Sequence, residues 1–201
     1  MKIIACLFSL LLMTVSYSLH SQETNDVIYY KVKSEVTING TSNVKNFSCT
    51  AIKDFYENQN KVIVTRNPGV FSYKNARVDV TVDNFDCHIG KMTKIMKKTL
   101  QSDKYPQVVI VIQKITLEDK RMSRLQNGDN IVADADVTVA GKTKAYKIAF
   151  NNIGRTNDLV TFKGKIDLDM KSHDIDPPTV MGFIKVNQLI NIDFKLDFKI
   201  W

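Results

Sequence analysis

The residues best suited to chemistry lie near the middle of the chain, where an acid, a thiol and an imidazole follow one another. Asp86, Cys87 and His88 are consecutive, and a thiol next to an imidazole is the pair that a cysteine nucleophile needs. Neighbouring residues of a strand point to opposite faces, however, so adjacent residues rarely form such a dyad. The sequence also contains no Gly-x-Ser-x-Gly elbow, phosphate-binding glycine loop or dinucleotide fingerprint. An enzyme that uses Cys87, His88 or His173 is therefore the least favoured hypothesis.

A second polar group lies in the last third of the chain. His173, Asp174 and Asp176 are close in sequence, and imidazole and carboxylate groups are common metal ligands. A metal site would need further ligands from elsewhere, so the polar surface of a loop is the simpler interpretation. We expect no metal and no cofactor.

The cysteines indicate an oxidising compartment. Cys6 lies in an apolar run at the start, which leaves Cys49 and Cys87. Two cysteines of an exported protein commonly pair. A bridge across a loop of this length would stabilise the fold by about 4 kcal/mol in the chain-entropy model. The alternative is two buried free thiols.

The first 21 residues have the pattern of a secretory signal peptide. Lys2 precedes an apolar run over residues 3–15, and small residues follow at Ser16, Ser18 and Ser21. The run is too short to span a bilayer, which disfavours the alternative of a retained anchor. We expect cleavage after Ser18 or Ser21, a periplasmic or secreted protein, and one domain over residues 22–201 with no later membrane span.

The chain is basic, but its charges do not predict nucleic-acid binding. Without the signal peptide the chain has 27 basic and 21 acidic residues, a net charge of +6. Lysines alternate with acids along the predicted strands, which is typical of a solvated face. The aromatic residues that nucleic-acid binding would expose fall mainly on the apolar face instead. The densest basic group consists of Lys91, Lys94, Lys97 and Lys98.

The elements that must position these residues are mostly strands. In residues 189–201 every even position is apolar, and the odd positions from 191 to 199 are polar or charged, so one face of this strand is dry and the other wet. Similar patterns predict strands over residues 29–38, 44–52, 61–64, 76–82, 108–117, 131–139, 145–153 and 159–170.

One segment has a helical pattern. Between residues 86 and 102, apolar residues recur at spacings of three and four, opposite a lysine-rich face. Asp86 is a plausible N-cap, and Tyr105-Pro106 ends the segment. The stripe consists of Ile89, Met92, Ile95, Met96 and Leu100.

Eight or nine antiparallel strands with one inserted helix need a way to remove exposed edges. Closing the sheet into a barrel does so, and a two-sheet sandwich is the alternative. An eight-stranded barrel has an interior just wide enough to be filled by side chains or to hold one slender ligand. Methionines on the apolar faces suit a flexible ligand, but such a pattern also fits an ordinary core.

Four stretches resemble the YceI-like family of exported lipid- or isoprenoid-binding barrels. Residues 34–47 resemble its first strand and small-residue turn, and residues 92–106 its helix before an apolar strand. Residues 137–144 are similar to its Leu-Thr-x-x-Gly-x-Thr-Lys turn. Residues 174–185, with a double proline, are similar to its loop before the last strand. The four matches occur in the family's order and span nearly all of residues 22–201.

The resemblance implies an all-β, lipocalin-like antiparallel barrel of eight strands with a lipid tail in its pore and no catalysis. The chain departs from many members at two places near the barrel mouth. Residues 90–92 replace an Arg-Asp pair at the helix start, and residues 173–175 replace an aspartate-aromatic-glycine step. The headgroup of a ligand is therefore left open.

Two functional hypotheses follow besides the enzyme. The first is a carrier for an apolar lipid such as a polyisoprenoid or fatty acid, with Lys91 and Lys94 near a polar headgroup. The second is an exported structural or interaction barrel with a filled core and no ligand. A homodimer is possible under both. The predicted lining residues are Val36, Phe47, Val80, Met92, Met96, Ile110, Phe150, Phe162, Phe194 and Phe198.

Overall fold

The strands and helices were located in a computed structural model. It describes residues 24–54, 60–67, 69–117 and 131–200. The predicted signal peptide and both cleavage sites lie outside the described residues.

The described chain is mainly strand, with one α-helix inserted between the fifth and sixth strands. The helix, α1, spans Gly90–Thr99, and short 3-10 turns lie at Val82–Asn84 and Met170–His173. The strands are β1 Thr24–Gly40, β2 Phe47–Lys53, β3 Asn60–Asn67, β4 Val70–Thr81, β5 Phe85–Asp86, β6 Gln107–Leu117, β7 Ile131–Val139, β8 Lys142–Thr156, β9 Leu159–Asp169, β10 Thr179–Val180, β11 Ile184–Lys185 and β12 Leu189–Ile200.

Eight antiparallel strands close into a ring, which confirms the predicted barrel. The order β12-β9-β8-β7-β6-β4-β3-β1 is completed by pairing of β1 with β12. The closing ladder runs from Tyr30 opposite Ile200 to Asn39 opposite Asn191. Each of these eight strands pairs on both sides along part of its length, which closes the ring and leaves few unpaired strand edges of the kind that promotes aggregation.

The first strand is long enough to serve two partners in succession. Residues 24–30 of β1 pair with β3, and residues 34–40 pair with β2, which in turn pairs with β5. β2 and β5 therefore lie beside the ring. They place the segment that leads into α1 against one end of the barrel.

The alternation of β12 separates an apolar interior from a polar exterior. Ile190, Phe194 and Leu196 are buried inside the barrel. Asp197 keeps its place on the polar face but is only 9% exposed, because its carboxylate accepts a hydrogen bond from the Thr161 hydroxyl at 2.7 Å and lies 3.5 Å from Nζ of Lys195. A neighbour across the ladder thus satisfies a carboxylate that the sequence pattern places in water.

The start of the helix differs from the prediction. α1 begins at Gly90 with Ile89 as its N-cap, not with Asp86. The Asp86 carboxylate instead accepts a hydrogen bond from the backbone N–H of His88 at 2.9 Å. The Asp side chain forms a local turn before the helix, a competing arrangement available to any short polar side chain.

The second strand also begins later than predicted. Val44 lies in the turn before β2 and is exposed, although the sequence pattern placed it in the strand. The Ser42 hydroxyl accepts hydrogen bonds from the backbone N–H groups of Val44 and Lys45 at 3.3 and 3.1 Å. A serine turn therefore delays pairing until Phe47.

Cys49 and Cys87 form the predicted disulfide. The bond joins β2 to the residue that follows β5, three positions before α1. Both sulfur-bearing residues are buried in the core. The disulfide therefore holds the entry to the helix against the barrel end.

We expect loss of the disulfide to lower the free energy of unfolding by about 2–4 kcal/mol, because the bond closes a loop with a sequence separation of 38. Urea denaturation of the Cys49→Ser/Cys87→Ser variant of residues 22–201 measures this. Reduction of the wild-type protein should produce the same shift. Labelling of two thiols in unfolded, unreduced protein would contradict the bridge.

Candidate functional site

The interior contains a small cavity close to one end of the barrel. This end, the capped end, is formed by the last residues of β1, β4, β7 and β9 and the first residues of β6, β8 and β12. The cavity measures about 50 Å³. All its lining residues are apolar: Val36, Ile38, Val80, Phe85, Leu100, Val108, Ile110, Val137, Val139, Ile166, Leu168, Met170, Ile175, Ile190, Ile192 and Phe194.

Four of these residues close the cavity at the capped end and are called the cap. Phe85 and Leu100 come from the helix side, whereas Met170 and Ile175 come from the 3-10 turn after β9. The N–H of Ile175 donates to the carbonyl of Met170 at 3.0 Å, which brings the two side chains of that turn together. All four are buried, so an apolar ligand would have to displace at least part of the cap to enter.

A buried imidazole anchors the turn that supplies half of the cap. His173 is 1% exposed. Its Nδ1 donates to the carbonyl of Lys142 at 3.0 Å, which leaves Nε2 of the neutral ring to accept from the Tyr146 hydroxyl at 2.8 Å. Burial lowers the pKa of His173 below its ordinary value of 6.5, although the hydrogen bond to Lys142 opposes the shift. Burial likewise raises the pKa of Tyr146.

The neighbouring acid strengthens the same anchor. The Asp174 carboxylate lies 2.7 Å from Nζ of Lys142, and this hydrogen-bonded ion pair lowers the pKa of Asp174. Lys142, the first residue of β8, thus holds the turn through both its carbonyl and its ammonium group. In the described part of the chain, no three His, Cys, Asp or Glu side chains are grouped to hold a metal ion.

The structure separates the three residues of the candidate nucleophilic site. Cys87 is bonded to Cys49, so its thiol is consumed. His88 is exposed and adopts a left-handed backbone conformation with φ 61°. His173 belongs to the anchor near β8. These positions do not form a Cys–His dyad.

Below the cavity, aromatic rings fill the barrel. Phe194 forms the boundary, because it lines the cavity and packs edge-on against Phe150 with centroids 5.4 Å apart. Phe162 continues the cluster, with centroids 5.5 Å from those of Phe150 and of Phe198. Tyr30 ends it, 5.6 Å from Phe198. These five residues are called the aromatic cluster.

A glycine makes room for the centre of this cluster. Gly164 lies opposite Phe194 on one side and Phe150 on the other. A Cβ at this position would approach the carbonyl oxygen of Ala149 to 2.9 Å, Cζ of Phe194 to 2.9 Å and Cδ1 of Phe150 to 3.0 Å. The two rings therefore occupy the space that a side chain on β9 would take.

The predicted lining residues fall into three groups. Val36, Val80, Ile110 and Phe194 line the cavity. Phe150, Phe162 and Phe198 lie in the aromatic cluster. Phe47 lies at the rim with its ring over Gly40, and Met92 and Met96 are half-buried against the core outside the cavity lining. Lys91 and Lys94 are exposed on α1.

Sequence patterns missed half of the cap. Leu100 belongs to the predicted helical stripe and could have been found there. Met170 ends the apolar positions of the strand predicted over residues 159–170, whereas Phe85 and Ile175 lie in or next to short elements where no period can be recognised. His173 was recognisable in the sequence as a histidine in a polar stretch. Its burial against Tyr146 was not, because that contact depends on the closed barrel.

Together these features define a closed, lipocalin-like antiparallel barrel with an apolar, capped interior. The family model of the YceI-like domain matches residues 31–198, so the chain belongs to the YceI-like family. No protein with a curated description matches the sequence. None of the helices in the described part of the chain has the length and apolar character needed to cross a bilayer.

Two solved structures share this fold. BcnA of Burkholderia cenocepacia is 15% identical, and the match covers 82% of this chain and 95% of that chain with a TM-score of 0.58. A polyisoprenoid binding domain from Saccharophagus degradans, implicated in plant cell wall breakdown, is 9% identical, with coverage of 85% and 97% and a TM-score of 0.55. Identities this low establish the shared architecture alone.

We expect Gly164→Ala to lower the free energy of unfolding by about 1–3 kcal/mol, since the added methyl group crowds the carbonyl oxygen of Ala149 and overpacks the aromatic cluster. Gly154→Ala is the control, because a Cβ there meets its nearest neighbour at an ordinary 3.9 Å. Thermal and urea denaturation compare the two variants. Equal stability of both would contradict the proposed role of Gly164.

We expect acid to destabilise the protein through His173. Its pKa is lower in the folded than in the unfolded chain, so protonation favours unfolding, and stability falls as the pH decreases below about 6.5. His173→Gln should remove this slope and cost about 1–3 kcal/mol at pH 7.5. The exposed His88→Gln is the control and should retain the slope in urea titrations between pH 7.5 and 5. An unchanged slope in His173→Gln would contradict the assignment.

Proposed function

We propose that this chain binds a long apolar lipid, of the polyisoprenoid or fatty-acid type, in the interior of its barrel. The observation that carries the proposal is a cavity with an entirely apolar lining beneath an apolar cap. Membership of the YceI-like family supports it, and a neighbour of the same fold is a polyisoprenoid binding domain. The protein is accordingly a binding module and not an enzyme.

Burial of the lipid tail would supply most of the affinity. Each methylene transferred from water contributes about 0.8 kcal/mol, so a long tail needs few polar contacts. The exposed Lys91 and Lys94 at the capped end would meet a polar or anionic headgroup. This arrangement selects for length and apolar character rather than for a particular headgroup.

The cavity must enlarge to hold such a tail. Its volume of about 50 Å³ is far below the roughly 300–1,000 Å³ of pockets that enclose small ligands. Outward movement of the cap would open the capped end. Rotation of Phe194 away from Phe150 would extend the space toward the aromatic cluster. Binding therefore requires a change of side-chain packing within the barrel.

We infer a periplasmic or secreted location. The predicted signal peptide supports export, and the disulfide between Cys49 and Cys87 supports an oxidising compartment. A carrier in this location would shield its lipid from water between membranes or between a membrane and an enzyme.

The second candidate is an exported structural or interaction barrel without a ligand. The filling of the lower interior by the aromatic cluster favours it, since the rings of Phe150, Phe162, Phe194 and Phe198 already contact one another. A second copy of the chain would then be a natural partner.

We expect protein purified natively from its own compartment to release a lipid that mass spectrometry identifies, and the stripped protein to bind a fluorescent fatty acid. Val139→Phe, which fills the cavity, should weaken that binding at least about tenfold. Val132→Phe is the control, because Val132 lies on the same strand but is 42% exposed. A ligand-free preparation that ignores both isoprenoid and fatty-acid probes would favour the filled barrel.

A further inference from the structure

Three of the large apolar side chains that are exposed at the capped end lie on two adjoining turns. Val44 lies in the turn between β1 and β2, whereas Met181 and Phe183 lie in the turn of the β10–β11 hairpin. Their exposed fractions are 59%, 61% and 61%. These three residues are called the apolar tip. Apolar side chains that form a contiguous exposed patch can mark a site of interaction with a protein or a membrane.

Hydrogen bonds between the two turns hold the tip together. The Asn43 side chain donates to the carbonyl of Phe183 at 3.1 Å and accepts from the N–H of Lys185 at 2.8 Å. The N–H of Asn43 in turn donates to the carbonyl of Lys185 at 3.2 Å. These hydrogen bonds fix the backbone of the two turns relative to each other.

The hairpin turn keeps Met181 exposed at a conformational cost. Met181 and Gly182 both adopt left-handed conformations, with φ of 56° and 80°. Glycine tolerates this region, but a side chain such as methionine rarely enters it. The fold accepts this cost at a position where Asn or Gly would be more stable.

The segments that build the tip carry positive charges only, whereas the stretch before the hairpin contains the exposed Asp174 and Asp176. The segments that build the tip, residues 41–46 and 179–187, contain Lys45 and Lys185 and no acid. Both lysines are exposed and form no ion pair with the described residues. The exposed Lys91 and Lys94 of α1 lie at the same end, and the whole chain has a net charge of +7. An anionic surface is the complementary partner.

We propose that the apolar tip docks this protein on a membrane that contains anionic lipids. Val44, Met181 and Phe183 enter the boundary between headgroups and acyl chains, and Lys45 and Lys185 contact the phosphates. Three side chains on a convex tip are too few for a stable protein interface, which needs about 800 Å² from each partner. A bilayer accepts such a tip, because basic residues and apolar side chains act together at its interface.

The docking site faces the same side of the molecule as the entrance to the interior. The base of the hairpin leads into residue 188, whose carbonyl accepts from the N–H of Met170, a cap residue, at 3.1 Å. A docked protein therefore presents its cap to the membrane. The docking goes beyond the proposed binding of lipid inside the barrel, and its test uses protein stripped of lipid.

Vesicle flotation tests the docking. Residues 22–201 should bind vesicles of phosphatidylcholine with phosphatidylglycerol and should bind phosphatidylcholine alone weakly. Met181→Asn/Phe183→Ser should weaken binding at least about tenfold, and Asn suits the left-handed position. Lys45→Gln/Lys185→Gln should bind the anionic vesicles as weakly as the wild type does at high salt.

The matched control removes exposed side chains from the opposite end of the barrel. Val27→Ser/Tyr29→Ser changes two residues that are 50% and 44% exposed on β1 and should bind like the wild type. Absence of binding to the anionic vesicles, or equal binding by the tip variant and the wild type, would overturn the proposal. Self-association that Met181→Asn/Phe183→Ser abolishes would also overturn it and assign the tip to a second copy.

Insertion can be measured at single positions, because Trp201 is the single tryptophan. In a Trp201→Phe background, Phe183→Trp should be quenched by brominated lipids in the anionic vesicles, and Tyr29→Trp should not. Equal quenching at both positions, or none at position 183, would contradict docking through the tip. Circular dichroism establishes that each variant is folded.

Discussion

Pairing of β1 with β12 is the constraint on which the other features of this barrel depend. The ladder joins the first described strand to the last, over ten residue pairs from Tyr30 to Asn39. Without it both strands would be free edges, and the alternating faces would have no common interior. With it, even-numbered residues of both strands share one dry space. The cavity, the aromatic cluster and the need for a cap all result from that enclosure.

The strands were predictable because their periodicity is a local property. Alternation in residues 189–200 and 131–139 was visible directly in the sequence, and the need to remove edges favoured a closed barrel over a two-sheet sandwich. The ends of elements were not predictable in the same way. Asp86 and Ser42 each accept a hydrogen bond from a nearby backbone N–H. These local bonds compete with the start of a helix or strand, and they do not alter the periodic pattern of the sequence.

The alternation of a strand indicates which side chains point into the barrel. It does not indicate how far along the barrel axis each side chain lies. Val36 and Phe162 have the same signature, yet one lines the cavity and the other packs within the aromatic cluster. The difference arises from shear between strands and from Gly164, where a missing side chain admits two rings. Likewise, His173 becomes buried only when β8 and the turn after β9 meet. Such features need the three-dimensional register.

The disulfide and the closing ladder need different lengths of the chain to be present before they can form. Cys49 and Cys87 are separated by 38 residues and enclose β3 and β4, so their bond needs less than half of the sequence. The barrel, in contrast, cannot close before β12 exists. In an oxidising compartment the first strands can thus be joined covalently while β1 still lacks its partner.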